Sequence, residues 1–124
     1  MIREHKVSLW LGSFESVAEF NTFINIAYDE DGNQIPSKFQ ETYEIKKYDM
    51  NAIETDWIDE GVDNVEELLE GFSADEEIIP AFKEMLKDRD IKMYNSIILL
   101  YRYEYDGEKT HESNMDFIGV VDGY

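Results

Sequence analysis

The sequence predicts a single α+β domain over residues 1–124, in which helices cover one face of a mainly antiparallel sheet. Three observations lead to this fold class. Strand patterns stand near both ends of the chain, amphipathic helical patterns lie between them, and no repeat, low-complexity tract or linker divides the sequence. The predicted order is β-α-(β/α)-α-α-β-β, with strands and helices in separate runs, which is typical of α+β domains.

The first elements are a strand and a helix. Lys6–Leu11 carries β-type bulk, and Gly12 ends this strand as a turn glycine. Ser16 and Glu19 match the capping box, in which each side chain satisfies an amide of the other residue. Apolar residues follow at helical spacing, so the pattern predicts a helix from Val17 to Ile26.

The next segment is ambiguous. Residues 29–33 (Asp-Glu-Asp-Gly-Asn) predict a turn, and Pro36 stops regular structure. Ser37 is a candidate cap for a short helix that carries Phe39 and Tyr43. A strand over residues 42–48 fits equally well, and both alternatives stay open.

Two further helices are predicted in the second half. Asn64 precedes one apolar stripe that ends near Gly71, and Ser73 with Glu76 or Glu77 is expected to begin the next helix. Pro80 fits only the first turn of that helix, or else it kinks the helix. The stripes are Val65, Leu68, Leu69 and Phe72 in the first helix and Ile79, Phe82, Met85 and Leu86 in the second.

The chain closes with two predicted strands. Asn95–Tyr105 alternates strictly, which places Tyr101, Tyr103 and Tyr105 on one face. These tyrosines are expected to pack on the sheet or to form an aromatic docking face. The polar loop 106–114 leads to the last strand, Asp116–Val121, and the two strands are expected to pair as an antiparallel hairpin.

Charge and composition exclude several classes of function. The chain has 11 Lys and Arg against 29 Asp and Glu, a net charge of −18, so it lacks the basic footprint of a nucleic-acid or anionic-membrane binder. It contains no cysteine for disulfides, thiolate metal sites or cysteine nucleophiles. Met1–His5 lacks the apolar segment of a signal peptide, and the longest apolar run, Ile97–Tyr101, is far too short to span a bilayer. We therefore expect a cytoplasmic protein.

The most unusual segment is the acidic run, residues 54–77, which holds eleven carboxylates and no Lys or Arg. Acids near helix N-termini explain some of them, since the helix dipole favours negative charge there. The absence of any counter-charge is not explained in this way, because exposed helices usually mix signs. A surface for a basic partner and a merely solubilising surface both fit. The predicted contact residues, here called the acidic surface, are Asp56, Trp57, Asp59, Glu60, Asp63, Glu66, Glu67 and Glu70.

Trp57 stands within this run and has two interpretations. It could anchor an irregular loop in the core, or it could be an interface hot spot. Catalytic and metal-binding interpretations find less support. Asp29, Asp31 and Asn33 begin like a calcium loop, but Gln34 stands where that loop needs glycine. No zincin, nucleophile-elbow or phosphate-loop motif is present, so we predict no enzyme activity and no cofactor.

The N-terminal residues carry a family resemblance. His5-Lys6-Val7-Ser8-Leu9-Trp10-Leu11-Gly12, followed by Phe14 and Ser16, resembles the Immunity protein 22 family. The likeness continues in Tyr28 with Asp31-Gly32 and in Pro36-Ser37-Lys38-Phe39 before Tyr48-Asp49, and it covers about the first fifty residues.

The resemblance implies a role in a bacterial polymorphic toxin system. Such a protein protects its own cell by binding a cognate toxin domain, often a nuclease. A nuclease presents a basic cleft to phosphates, which an acidic surface complements. The main alternative is an acidic regulatory adaptor or DNA-mimic protein that binds basic host proteins. A third hypothesis, an acid/base hydrolase, would need two carboxyls that converge in a pocket with separated pKa values.

Overall fold

The computed structural model describes residues 1–112 and 114–123, so Ser113 of the predicted 106–114 loop and the final Tyr124 lie outside the described residues. A five-stranded antiparallel sheet runs in the order β4-β5-β1-β7-β6. A small hairpin of β2 and β3 forms a second sheet. The strands are β1 (Ile2–Gly12), β2 (Ala27–Tyr28), β3 (Gln34–Ile35), β4 (Ile53–Val62), β5 (Tyr94–Tyr103), β6 (His111–Glu112) and β7 (Met115–Asp122).

Helices cover both faces of the large sheet. The α+β class is confirmed, but the helices, expected on one face, lie on two, because β1 and β5 are apolar on both sides and each face must be buried. Leu9 and Leu11 of β1 belong to one core, while Trp10 between them belongs to the other. The first core lies under α3 (Val65–Leu69) and α4 (Asp75–Met85), and the second under α1 (Val17–Ile24) and α2 (Lys38–Tyr43).

Capping decides where the helices of the second core begin. Ser16 accepts from the Glu19 amide at 3.2 Å, but the Glu19 carboxylate accepts from Glu15 N, so only half of the predicted capping box forms. The helix ends at Ile24, two residues early. The ambiguity after Pro36 resolves to a helix, because Ser37 and Gln40 form a complete capping box and α2 begins at Lys38.

The predicted hairpin of the last two strands is wrong. β1 lies between β5 and β7 and pairs with both, so that Leu9 stands opposite Leu99 on one side and Gly119 on the other. A strand that is apolar on both faces is best buried in the middle of the sheet, and the hydrophobic strand β1 occupies that position. β7 forms its hairpin with the short β6 instead.

The tyrosines of β5 do not share one face. Arg102 has a left-handed backbone, with φ 55°, and this shifts the alternation by one residue. Tyr101 therefore belongs to the first core, whereas Tyr103 and Tyr105 belong to the second. All three are buried, so packing and not an aromatic docking face is their role.

Gly12 ends β1 in a position where no side chain fits. It pairs with Ser96 on one side and Met115 on the other, and a Cβ there would lie 2.2 Å from Met115 Sδ and 2.8 Å from the Asn114 carbonyl oxygen. The turn expected at Gly12 is thus a paired strand end. Close approach of neighbouring strands, and not turn geometry, requires this glycine.

α4 begins differently from the prediction. Its N-cap is Ala74, which offers no side-chain cap, while Ser73 bonds elsewhere. The buried face is Ile78, Phe82 and Leu86, and Met85 is exposed. Pro80 lies inside the helix, beyond its first turn.

Candidate partner-binding surface

The acidic run begins on a strand that the sequence analysis did not predict. β4 lies at one end of the sheet order and pairs with β5 alone, from Ile53 opposite Leu100 to Trp57 opposite Ser96. The signal was present, because residues 53–57 (Ile-Glu-Thr-Asp-Trp) alternate with period two. The alternation breaks at Ile58, where the register shifts before Val62, and this bulge hid the strand.

Glu54 is a structural residue. Its carboxylate accepts hydrogen bonds from Ser73 N at 2.9 Å, from Ser73 Oγ, and from Tyr101 OH at 3.1 Å. These contacts fasten the turn between α3 and α4 to the edge of the sheet. Ser73, expected to cap α4, serves instead as the partner of Glu54, which explains why α4 begins without a side-chain cap.

The seven predicted acids are all exposed. Asn64 caps α3 by accepting from Glu67 N at 3.2 Å, and this start places Glu66 and Glu67 in the first turn of the helix. Negative charge is favourable at that end of a helix. Within residues 1–112 and 114–123, none of the ion pairs that the structure forms involves these acids, which are Asp56, Asp59, Glu60, Asp63, Glu66, Glu67 and Glu70.

The structure brings these acids together in two places. Asp56 and Glu70 line a cleft of about 360 Å³ with Glu54, between β4 and the turn that follows α3. Asp63 and Glu66 line a separate depression that also includes Lys83 and Lys87 of α4. The first cleft is therefore purely acidic among its charged residues, whereas the second contains counter-charge supplied by a later part of the chain.

Trp57 is half-buried. Its ring stacks on Phe20 of α1, with centroids 6.1 Å apart and planes 28° from parallel, and its indole Nε1 donates to Asp59 Oδ1 at 2.6 Å. Its backbone amide donates to Asp56 Oδ1 at 2.8 Å. The side chain thus packs against the second core, as the core interpretation expected, but on a regular strand and not in an irregular loop.

Exposed apolar side chains that the sequence analysis overlooked lie beside the start of β4. Tyr28 is 60% exposed, Ile35 44% and Met50 45%. The amide Nε2 of Gln34 lies 2.8 Å from Met50 Sδ, so the β2–β3 hairpin touches the segment that leads into β4. Tyr28 pairs with Gln34 and so shares its face of the hairpin, toward Met50, whereas Ile35 lies on the other face. Tyrosine and methionine are enriched at protein interfaces, and the distance of Tyr28 from Met50 in sequence gave no signal that they lie near each other.

Asp116 is the centre of a cluster of titratable groups on β7. It accepts from Tyr94 OH at 2.6 Å and contacts His111 Nδ1, and Lys92 Nζ lies 3.7 Å away. Burial alone would raise the pKa of Asp116, but the hydrogen bonds from Tyr94 and His111 outweigh it and the pKa is lowered. Burial raises the pKa of Tyr94, and the bond to Asp116 adds to this shift. These groups bond to one another and link β5 to β7.

Among the described residues, the structure shows neither a metal-binding cluster nor a helix that could span a membrane. In the described part of the chain, no group of three or more His, Asp or Glu is placed to hold a metal ion. Asp29 accepts from the amides of Asp31 and Asn33, which makes residues 29–33 the predicted turn. Among the described residues, no helix is both long and apolar enough to cross a bilayer.

Comparison with known protein families gives a match over almost the whole chain. The family model described as Immunity protein 22 matches residues 7–122. The likeness seen in the first fifty residues therefore extends through both cores and almost the whole sheet. No curated protein and no solved structure matches the chain.

Proposed function

Because this chain belongs to the Immunity protein 22 family, we propose that it binds a cognate bacterial toxin domain and neutralises it. The proposed contact is the acidic surface, and the proposed partner is basic, as a nuclease that grips phosphates would be. The observation that carries this proposal is the purely acidic cleft of Glu54, Asp56 and Glu70 at the edge of the sheet. The mode of action is stoichiometric binding in the cytoplasm, without catalysis.

The residues of the family motif support placing the contact elsewhere than the N-terminus. Trp10 is fully buried among aromatic rings, with Phe39 at 4.9 Å and Phe117 at 5.3 Å between centroids. Gly12 is enclosed between strands. Such residues maintain the fold, whereas the seven acids of the acidic surface are exposed and form none of the ion pairs of the described residues.

The proposed function is tested by two measurements, the protection of cells against the toxin domain and the binding of that domain to the chain. If a large reading frame with a separate C-terminal domain lies upstream of the gene, that domain is expressed with and without the chain, and growth is scored. Affinity is then measured by calorimetry over a range of NaCl concentrations. Rescue of growth and a salt-dependent complex are expected, because exposed charges are screened by salt. Absence of both rescue and binding contradicts the proposed function.

The surface itself is tested by charge reversal. Glu66→Lys, Glu67→Lys and Glu70→Lys together should weaken binding and flatten its salt dependence. The matched control is Glu15→Lys, Glu41→Lys and Glu108→Lys, three exposed residues outside the acidic run with the same change in net charge. Equal effects of the two triple variants would show that net charge alone governs binding and would reject the surface, though not the function.

The acidic adaptor or DNA-mimic remains the competing function. It differs in selectivity, since an immunity protein protects against one type of toxin only. Binding of histones or other unrelated basic proteins with the affinity found for the toxin domain would favour the adaptor.

A further inference from the structure

β4 presents a free backbone edge. It pairs with β5 on one side only, and the Trp57 amide donates to the Asp56 side chain, so this amide points away from β5. In an antiparallel pair, alternate residues bond to the same neighbour. Ile53 and Thr55 therefore share the outward direction of Trp57, while the backbone groups of Glu54 and Asp56 face β5.

We propose that the partner docks on this edge, and that an extended segment of the toxin domain, with lysine or arginine at alternate positions, adds to β4 as a further strand. The inference rests on the proposed function, because the segment belongs to the toxin which that function names. Backbone hydrogen bonds would supply the alignment, and side chains on the two faces of the added strand would supply selectivity.

Charge determines which strand the edge accepts. Free edges tend to pair with any available strand, and proteins commonly protect them with charged residues. β4 carries exposed Asp56, Asp59 and Glu60 in a chain of net charge −18. A second copy of the chain would set like charges opposite one another, which is destabilising. A basic strand places opposite charges there, so the same residues that reject self-association favour this partner.

The acidic cleft lies where side chains of an added strand would reach it. Glu54 and Asp56 point to the face covered by α3 and α4, and Glu70 borders the same cleft. Glu54 is held in place by Ser73 and Tyr101, so part of the cation site is already ordered. On the opposite face, the exposed part of Trp57 offers apolar contact. A segment that alternates basic and apolar residues matches both faces.

Asp56 has a second part in this arrangement. In the free protein its Oδ1 accepts from the outward amide of Trp57 at 2.8 Å. A carbonyl oxygen of the added strand would take over that hydrogen bond and release the Asp56 carboxylate to pair with a lysine or arginine. Asp56 therefore covers the edge when no partner is bound.

Amide hydrogen exchange tests the proposal directly. The probe is a short peptide of alternating lysine and valine, and the control is the same sequence with every valine as the D-enantiomer, which keeps the charge but cannot form a regular strand. Saturating peptide should slow the exchange of the Thr55 and Trp57 amides by about ten-fold or more, and the control peptide should not. Unchanged exchange of both amides would overturn the proposal.

A backbone variant separates strand addition from charge attraction. Thr55→Pro removes an outward amide and leaves the pairing of Glu54 and Asp56 with β5, and edge strands tolerate proline at such positions. Thr55→Val is the matched control. The affinity for the peptide should fall about ten-fold in Thr55→Pro and stay unchanged in Thr55→Val. Equal peptide affinities of the two variants would reject strand addition. If Thr55→Pro does not fold, the amide exchange of the unaltered chain decides between strand addition and charge attraction. A toxin domain that is neutralised while these amides remain unprotected refutes strand addition alone, whereas absence of neutralisation refutes the proposed function.

Discussion

Replacement of Gly12 by alanine puts a methyl group where neighbouring strands leave no space. The added Cβ would lie 2.2 Å from Met115 Sδ, 2.8 Å from Ser96 Oγ and 2.8 Å from the carbonyl oxygen of Asn114. Met115 and Ser96 are both fully buried, so neither side chain can move into solvent, and the carbonyl belongs to the backbone. Overpacking of this kind costs about 1–3 kcal/mol.

The net effect is smaller than the clash, because alanine also restricts the unfolded chain and returns about 0.5 kcal/mol. We therefore expect Gly12→Ala to lower the free energy of unfolding by about 1.5 kcal/mol, equivalent to a fall in Tm of roughly 6 °C. Urea unfolding followed by the fluorescence of Trp10 and Trp57 measures this change, since Trp10 is fully buried and Trp57 is partly buried in the folded protein.

A double mutant shows whether the clash is the cause. Met115→Ala opens space beside Gly12, so the two substitutions together should cost about 1 kcal/mol less than the sum of their separate effects. A loss below about 0.5 kcal/mol for Gly12→Ala, or strict additivity with Met115→Ala, would refute the packing explanation.

Three further predictions concern other contacts. Glu54→Ala should lower the free energy of unfolding by about 1–2 kcal/mol, measured by urea unfolding, because the Ser73 amide loses its acceptor; an unchanged value would show that Glu54 is dispensable for the fold. Asp116→Asn should lower the free energy of unfolding by about 1 kcal/mol at pH 7. Since folding lowers the pKa of Asp116, its contribution is present above pH about 4 and is lost as the pH falls through the folded value, so wild type and variant should converge in acid; a difference independent of pH would contradict this. Trp57→Phe keeps a ring against Phe20 but loses the bond to Asp59, so Tm should fall less than in Trp57→Ala; equal losses would contradict stacking as the main contribution.

The sequence predicted those elements whose pattern is local. Ser37 and Gln40 stand at capping-box spacing, and β1 and β5 are hydrophobic runs, so their positions needed no tertiary information. β4 was missed because its alternating partners are acids, and because the alternation ends at Ile58 after only five residues. Acidic residues are uncommon in strands, and only the edge position of β4 makes them acceptable there.

Features that depend on residues distant in sequence could not be predicted from the sequence. The pairing of β7 with β1 instead of β5 depends on which strand is buried on both sides, and that is a property of the whole sheet. The left-handed backbone at Arg102, which moves Tyr103 to the second core, carries no signature, since arginine rarely adopts it. For the candidate site, the exposed acids followed from composition, but the tie from Glu54 to Ser73 and the outward amides of β4 are visible only in three dimensions.

The central place of β1 has a kinetic consequence. Residues 7–12 pair with residues 96–101 and with residues 115–121, all of which the ribosome adds much later. The strongly apolar segment that forms β1 therefore stays unpaired until nearly all of the chain has been synthesised. Folding with such distant contacts is slow, and it exposes the nascent strand to aggregation and to chaperones. Protection of the cell would consequently lag behind translation by the time that this one strand needs to find both neighbours.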